Sequence, residues 1–139
     1  MFTILGLATL LFAPRMGPSD FQTYQYAPLR HPRSIRLLRL KHSSGSSLRW
    51  EIIEASVDNS PDYEALSYVW GSSTLEETIL CNGKPLKVTS NCAEALRNLQ
   101  PPPGGERLVW VDFICINQSS IHERNQQVAL MAQIYGKAK

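Results

Sequence analysis

Cysteine is scarce and poorly spaced for chemistry. The 139-residue chain has three, Cys81, Cys92 and Cys115, and neither a disulfide framework nor the paired spacing of a zinc or redox centre can be made from them. They read as reduced, mostly buried thiols of a reducing compartment. A dominant charge is lacking too. The formal net charge is +2, the basic residues are scattered, and none interleave with aromatics as a stacking platform for nucleic acid requires. The densest basic patch, Arg30, Arg33, Arg36, Arg39 and Lys41, reads as a solvated strand face. No glycine-rich loop is present to cradle phosphates. No apolar run is long enough to span a bilayer, which takes about 20 residues. The apolar start MFTILGLATLLFA has no basic residue before its apolar run, so it reads as a non-native or loosely packed extension rather than an export signal. Pro14, Gly17 and Pro18 follow it and set a boundary near Asp20, giving an extension over 1–20 and one domain over 21–139.

What is present centres on RLVWVDFICINQ, residues 107–118. Its apolar run from Leu108 to Ile116 is rich in β-branched and aromatic side chains and predicts a buried strand of an α/β sheet. Asp112 interrupts it, and a carboxylate there is costly to bury without a partner. Upstream, 34–40 and 48–56 predict strands joined by the loop HSSGSS, and 63–71 predicts another ending at Gly71, free to take a positive φ. Asn82-Gly83 between two apolar runs predicts a hairpin. Two helices follow. Asn91 with Glu94, and Ser120 with Glu123, have capping spacing, predicting helices over 91–99 and from Ile121 to about Tyr135. The first shows a Cys92, Leu96, Leu99 stripe, and the second an inward face of Ile121, Val128, Met131, Ala132 and Tyr135, widened by Leu130 and Ile134. The expected architecture is thus a partial open parallel β-α-β-α sheet, with an N-terminal hairpin and a second hairpin inserted in the first crossover. Ligands of such sheets sit beyond the carboxyl ends of the strands, so Trp70, Gly71, Asn117 and Gln118 are the expected rim.

YEALSYVWG, VTSNCAEALRNL, LVWVDFICINQ and ERNQQVALMAQIYGKA, in that order, together resemble the HET (heterokaryon incompatibility) domain of filamentous fungi, from about Tyr24 to Lys139. The resemblance implies a cytosolic, death-inducing module of fungal non-self recognition. It also implies a distant likeness to the TIR domain, an α/β fold that signals by self-association and in some members cleaves NAD. Three places depart from the common family pattern: Ser72, often an acidic residue, Cys92, commonly an aliphatic one, and Ser119-Ser120, where an Asp often opens the last helix. The family continues into a further strand ending Trp-Leu-Gly, so a domain truncated at its C-terminus is expected.

Each candidate residue has a structural reading beside its functional one. Asp112 is a site carboxylate, or a structural one in an ion pair, with Arg124 as a candidate partner, or in a hydrogen bond to a helix amide. Glu123 is an acid or base, or simply the second half of a capping box. Trp70 stacks a ligand or covers the sheet edge. Asn117 and Gln118 orient a ligand or hold their loop. Cys115, His122 and Asp112 can be written as a nucleophilic set, although an apolar strand thiol is usually inert. Two functions follow: a signalling module acting through self-association or protein partners, or a hydrolase of a nucleotide such as NAD with Asp112 and Glu123 as its carboxylates. Neither calls for a metal or a bound cofactor.

Overall fold

A computed structural model describes residues 23–41, 49–68 and 71–139. The extension over 1–20, the HSSGSS loop and Trp70 lie outside the described residues. Six strands form one sheet: β1 (Ser34–Lys41), β2 (Arg49–Ser56), β3 (Glu64–Leu66), β4 (Glu77–Cys81), β5 (Lys84–Val88) and β6 (Glu106–Val111). Their spatial order is β3-β6-β1-β2-β4-β5. The α/β class expected from the sequence holds, and the sheet is open. It is mixed rather than parallel, because the N-terminal hairpin enters the sheet instead of standing apart. β1 pairs antiparallel with both β2 and β6, while β3 with β6 and β2 with β4 are the parallel pairs.

β1 explains why. Its Ile35, Leu37, Leu38 and Leu40 are all fully buried, so this strand has an apolar face on both sides and belongs in the middle. The β4–β5 hairpin turns at Asn82 (φ 51°) and Gly83 (φ 79°), both positive, as the two-residue turn that matches strand twist requires.

Two predicted strands are shorter than expected. Among its described residues the 63–71 segment is strand only at Glu64–Leu66, and the 107–116 segment leaves the sheet at Val111 and turns into a short helix α2 (Asp112–Cys115). Pairing runs out there: Leu66 opposite Val111 is the last partnership of the ladder. Backbone groups beyond it find partners locally, Ile116 N–H on Asp112 O at 3.2 Å and Val111 N–H on Cys115 Sγ at 3.4 Å. Asp112 is therefore the first residue of a helical turn and not a carboxylate inside a strand.

Helix α1 (Ser90–Arg97) packs on β4 through Cys92, Ala93 and Leu96. Its cap is Thr89, whose hydroxyl accepts from Cys92 N–H at 3.2 Å, and not Asn91 as the spacing to Glu94 predicts. Helix α3 (Ile121–Lys137) does begin at Ser120, whose hydroxyl accepts from Glu123 N–H at 3.1 Å. Its inward face is another matter. The buried residues are Glu123, Gln127, Leu130 and Ile134, whereas Ile121 is 72% and Val128 60% exposed. The stripe still has helical spacing, but two of its members are polar, and a search for apolar periodicity passes over them. α3 is fastened near its end by Tyr63, whose hydroxyl donates to Ile134 O at 2.5 Å, and by a T-shaped contact of Tyr135 on Trp110 at 5.4 Å.

Candidate functional site

The buried polar members of α3 explain each other through β1. Arg36, which the sequence places on a solvated face, is 3% exposed, and Glu123 is 7% exposed. The two make a bidentate pair, Nη1 to Oε2 at 2.5 Å and Nη2 to Oε1 at 2.8 Å. Arg36 also donates to Cys115 O at 3.0 Å and Ala27 O at 2.9 Å, and its guanidinium lies 4.9 Å from the centre of the Tyr26 ring. Glu123 Oε2 takes Asn117 N–H at 2.6 Å. One arginine thus ties together β1, the segment 24–33, the end of α2 and the start of α3. A buried charge pair survives only when its remaining donors and acceptors are satisfied, and here they are.

On the Glu123 side of this pair lies a groove of about 330 Å³, lined among others by Tyr26, Arg30, His31, Asn117, His122 and Gln126. Burial pushes the Tyr26 hydroxyl well above its usual range, so it stays protonated and donates to Ile114 O at 2.6 Å. The predicted capping box is half made. Ser120 N–H goes to Asn117 O at 3.1 Å, which leaves the Glu123 carboxylate free of that role and committed to Arg36.

The remaining expected residues divide between two places. Asn117 joins the groove, and its Oδ1 accepts from Ser119 N–H at 3.1 Å. Gln118 turns back, its Nε2 donating to Asp112 O at 3.0 Å and Ile116 O at 3.2 Å, so it ties off the carbonyls around α2. Asp112 is half-buried near Tyr68, Cys92 and Tyr135, whose protons its charge helps to hold. It is not among the described residues lining the Glu123 groove, so the two candidate carboxylates do not share a pocket. Gly71 has φ 68° and faces the Asn91 side chain. Arg124 is exposed; the arginine that brings a charge into the core is Arg36. Sequence reading missed Arg36, Tyr26 and His31. The available signal was parity, because Arg36 alternates with Leu38 and Leu40 on one face of the most buried strand.

The three thiols are buried and free. Burial is the main cause that pushes Cys81 and Cys115 up to about 12 and Cys92 up to about 11. With His122 exposed, Cys115, His122 and Asp112 do not form a nucleophilic set. Iodoacetamide at pH 8 is expected to leave the native chain unlabelled and to modify all three thiols in urea. The same shifts carry a stability consequence. A thiol ionises near pH 8.5 to 9 in the unfolded chain, so its neutral burial stabilises the fold fully below that value. This contribution is lost as pH rises towards 11 and 12, so the unfolding midpoint should fall progressively above about pH 9. Rapid stoichiometric alkylation of the native chain would contradict the burial.

Among the described residues no group of three or more His, Cys, Asp or Glu side chains is placed to hold a metal ion. None of the described helices is long and apolar enough to cross a membrane.

The order of elements from Tyr63 onward, with the Arg36-anchored carboxylate at the head of α3, invites comparison with known families. The family model described as heterokaryon incompatibility protein (HET) matches residues 63–139. The chain belongs to the HET family. Over 131 residues it is 37% identical to heterokaryon incompatibility protein 6, OR allele, of Neurospora crassa, an alignment covering 84% of this chain and 19% of that protein. The HET chain thus spans about a fifth of the length of that relative. No solved structure matches it. The matched family segment includes Glu123 and Asn117 but begins after Tyr26 and Arg36, so one half of the buried pair lies inside it and the other upstream.

Proposed function

We propose that this HET chain is a cytosolic signalling module of fungal non-self recognition, which promotes cell death through self-association or binding of protein partners. Family membership supports the first part. The observation that carries the second is a row of exposed apolar residues on α3: Ile121 at 72%, Val128 at 60% and Tyr135 at 40%. Seven residues is close to two helical turns, so the three lie along one line. Ile121 and Val128 are not used to bury the core, Tyr135 remains 40% exposed beside its contact with Trp110, and Leu130 and Ile134 fill the core from a different side of the helix. Apolar side chains aligned on an outer helix face are what a partner helix recognises. Hydrolysis of NAD on a TIR-like scaffold ranks second, because Glu123 is already neutralised by Arg36.

Ile121→Asp combined with Val128→Asp tests the proposal. Both side chains are exposed, so thermal unfolding should shift little. Concentration-dependent association in analytical ultracentrifugation should disappear, together with growth arrest when the chain is expressed in a fungal host. Association and arrest that persist unchanged would overturn the assignment of this surface.

A further inference from the structure

At the opposite end of the sheet from Glu123 lies a second groove, of about 390 Å³. It is built on the last residues of β1, the first of β2, the end of β4 and the β4–β5 turn. Pairing of Arg39 with Glu51 and of Leu40 with Trp50 fixes the register. By strand alternation, Arg39, Lys41, Arg49 and Glu51 then share one face. Three cations meet one carboxylate there. Glu51 is divided between Lys41 at 3.2 Å and Arg39 at 3.8 Å, and the second distance is too long for a hydrogen bond. Arg49 forms no ion pair among the described residues. Like charges gathered on one face of a strand pair repel, and even with Glu106, opposite Lys41 on β6, this end of the sheet keeps a positive surplus.

A donor tells the same story. Among the described residues, Arg39 Nε–H is buried on this face without an acceptor. Buried donors of this kind are normally satisfied. Leu80, which pairs with Arg49, supplies an apolar wall.

We propose that this groove binds a small phosphate-bearing molecule. Arg39, Lys41 and Arg49 hold its phosphate, and its less polar remainder rests against Leu80. Guanidinium groups suit a phosphate because their N–H groups match its oxygens in pairs. The proposal does not depend on the signalling role, since none of these residues lies on α3.

Inorganic phosphate and phenyl phosphate are the probes, titrated into the full chain at constant ionic strength set with chloride. Amide and side-chain N–H correlation spectra report on Arg39 Nε–H and on the backbone amides of Asn82 and Gly83, which line the groove. These resonances should shift saturably, with phenyl phosphate the tighter of the two. Arg49→Gln, on an exposed residue at the start of its strand, should weaken binding roughly tenfold, the scale of one lost charge-assisted hydrogen bond. Arg39→Gln should do the same. Arg97→Gln, whose arginine pairs with Glu77 elsewhere, should leave binding unchanged. Shifts that grow linearly without saturation, or that saturate equally in Arg49→Gln and Arg39→Gln, would overturn the site. Equal affinity for the two probes would overturn the role given to Leu80.

Discussion

Arg36→Met is expected to destabilise the chain by about 3 to 5 kcal/mol, as removal of one partner from a buried ion pair does. Domains of this size are stable by only about 5 to 15 kcal/mol, so the variant should be largely unfolded at modest denaturant concentrations. Methionine fills most of the volume, so the loss is chiefly electrostatic. Glu123 would stay buried with a single backbone donor, Asn117 N–H, and the carbonyls of Ala27 and Cys115 would each lose a partner. Glu123→Gln should cost less. There Arg36 keeps both carbonyls and the Tyr26 ring, and the new amide oxygen can still accept from Asn117. A double-mutant cycle in urea should return a coupling on the order of 2 kcal/mol between the two positions. If Glu123→Gln instead raises the midpoint, the carboxylate is a strained functional group whose removal relieves the fold, and the structural reading of the pair fails.

That pair also marks where the sequence stopped being legible. The hairpins were readable because their signals are local. Asn82-Gly83 specifies its own turn, and 34–40 facing 48–56 needs only alternation and a short polar loop. Ser120 announced the start of α3 for the same reason. Glu123 was read with the wrong partner, since capping spacing names Ser120 N–H and the structure supplies Arg36, 87 positions away. Long-range pairing of a charge leaves no periodic trace. It also hid the inward face of α3, where Glu123 and Gln127 replace apolar residues because Arg36 and the carbonyl of Ser34 await them. The overlong strands had another cause. Apolar residues continue past Val111 and past Leu66, but a strand ends when its neighbour does, and the neighbour cannot be read from the strand itself. Asn91 shows the converse at α1: Thr89, two positions earlier, takes the cap, and the Asn91 side chain is turned towards Gly71.

Gly71→Val should lower stability by about 1 to 3 kcal/mol through backbone strain, with steric conflict added. Gly71 stands in the left-handed region at φ 68°, where a β-branched side chain is least tolerated. A side chain there would also collide with the amide of Asn91, so the glycine serves both its own left-handed backbone and the close approach of α1. The two contributions separate experimentally. Gly71→Ala keeps the collision at Cβ and most of the strain, and combining it with Asn91→Ala removes only the collision. In urea titrations at unchanged m value, Gly71→Ala should lower the midpoint and Gly71→Val should lower it further. The Gly71→Ala and Asn91→Ala pair should be less destabilising together than the sum of the singles. Strict additivity would mean that the Asn91 amide moves aside without cost and that strain alone requires the glycine. An unchanged midpoint in Gly71→Val would remove the glycine from the account of how the end of β3 is held against α1.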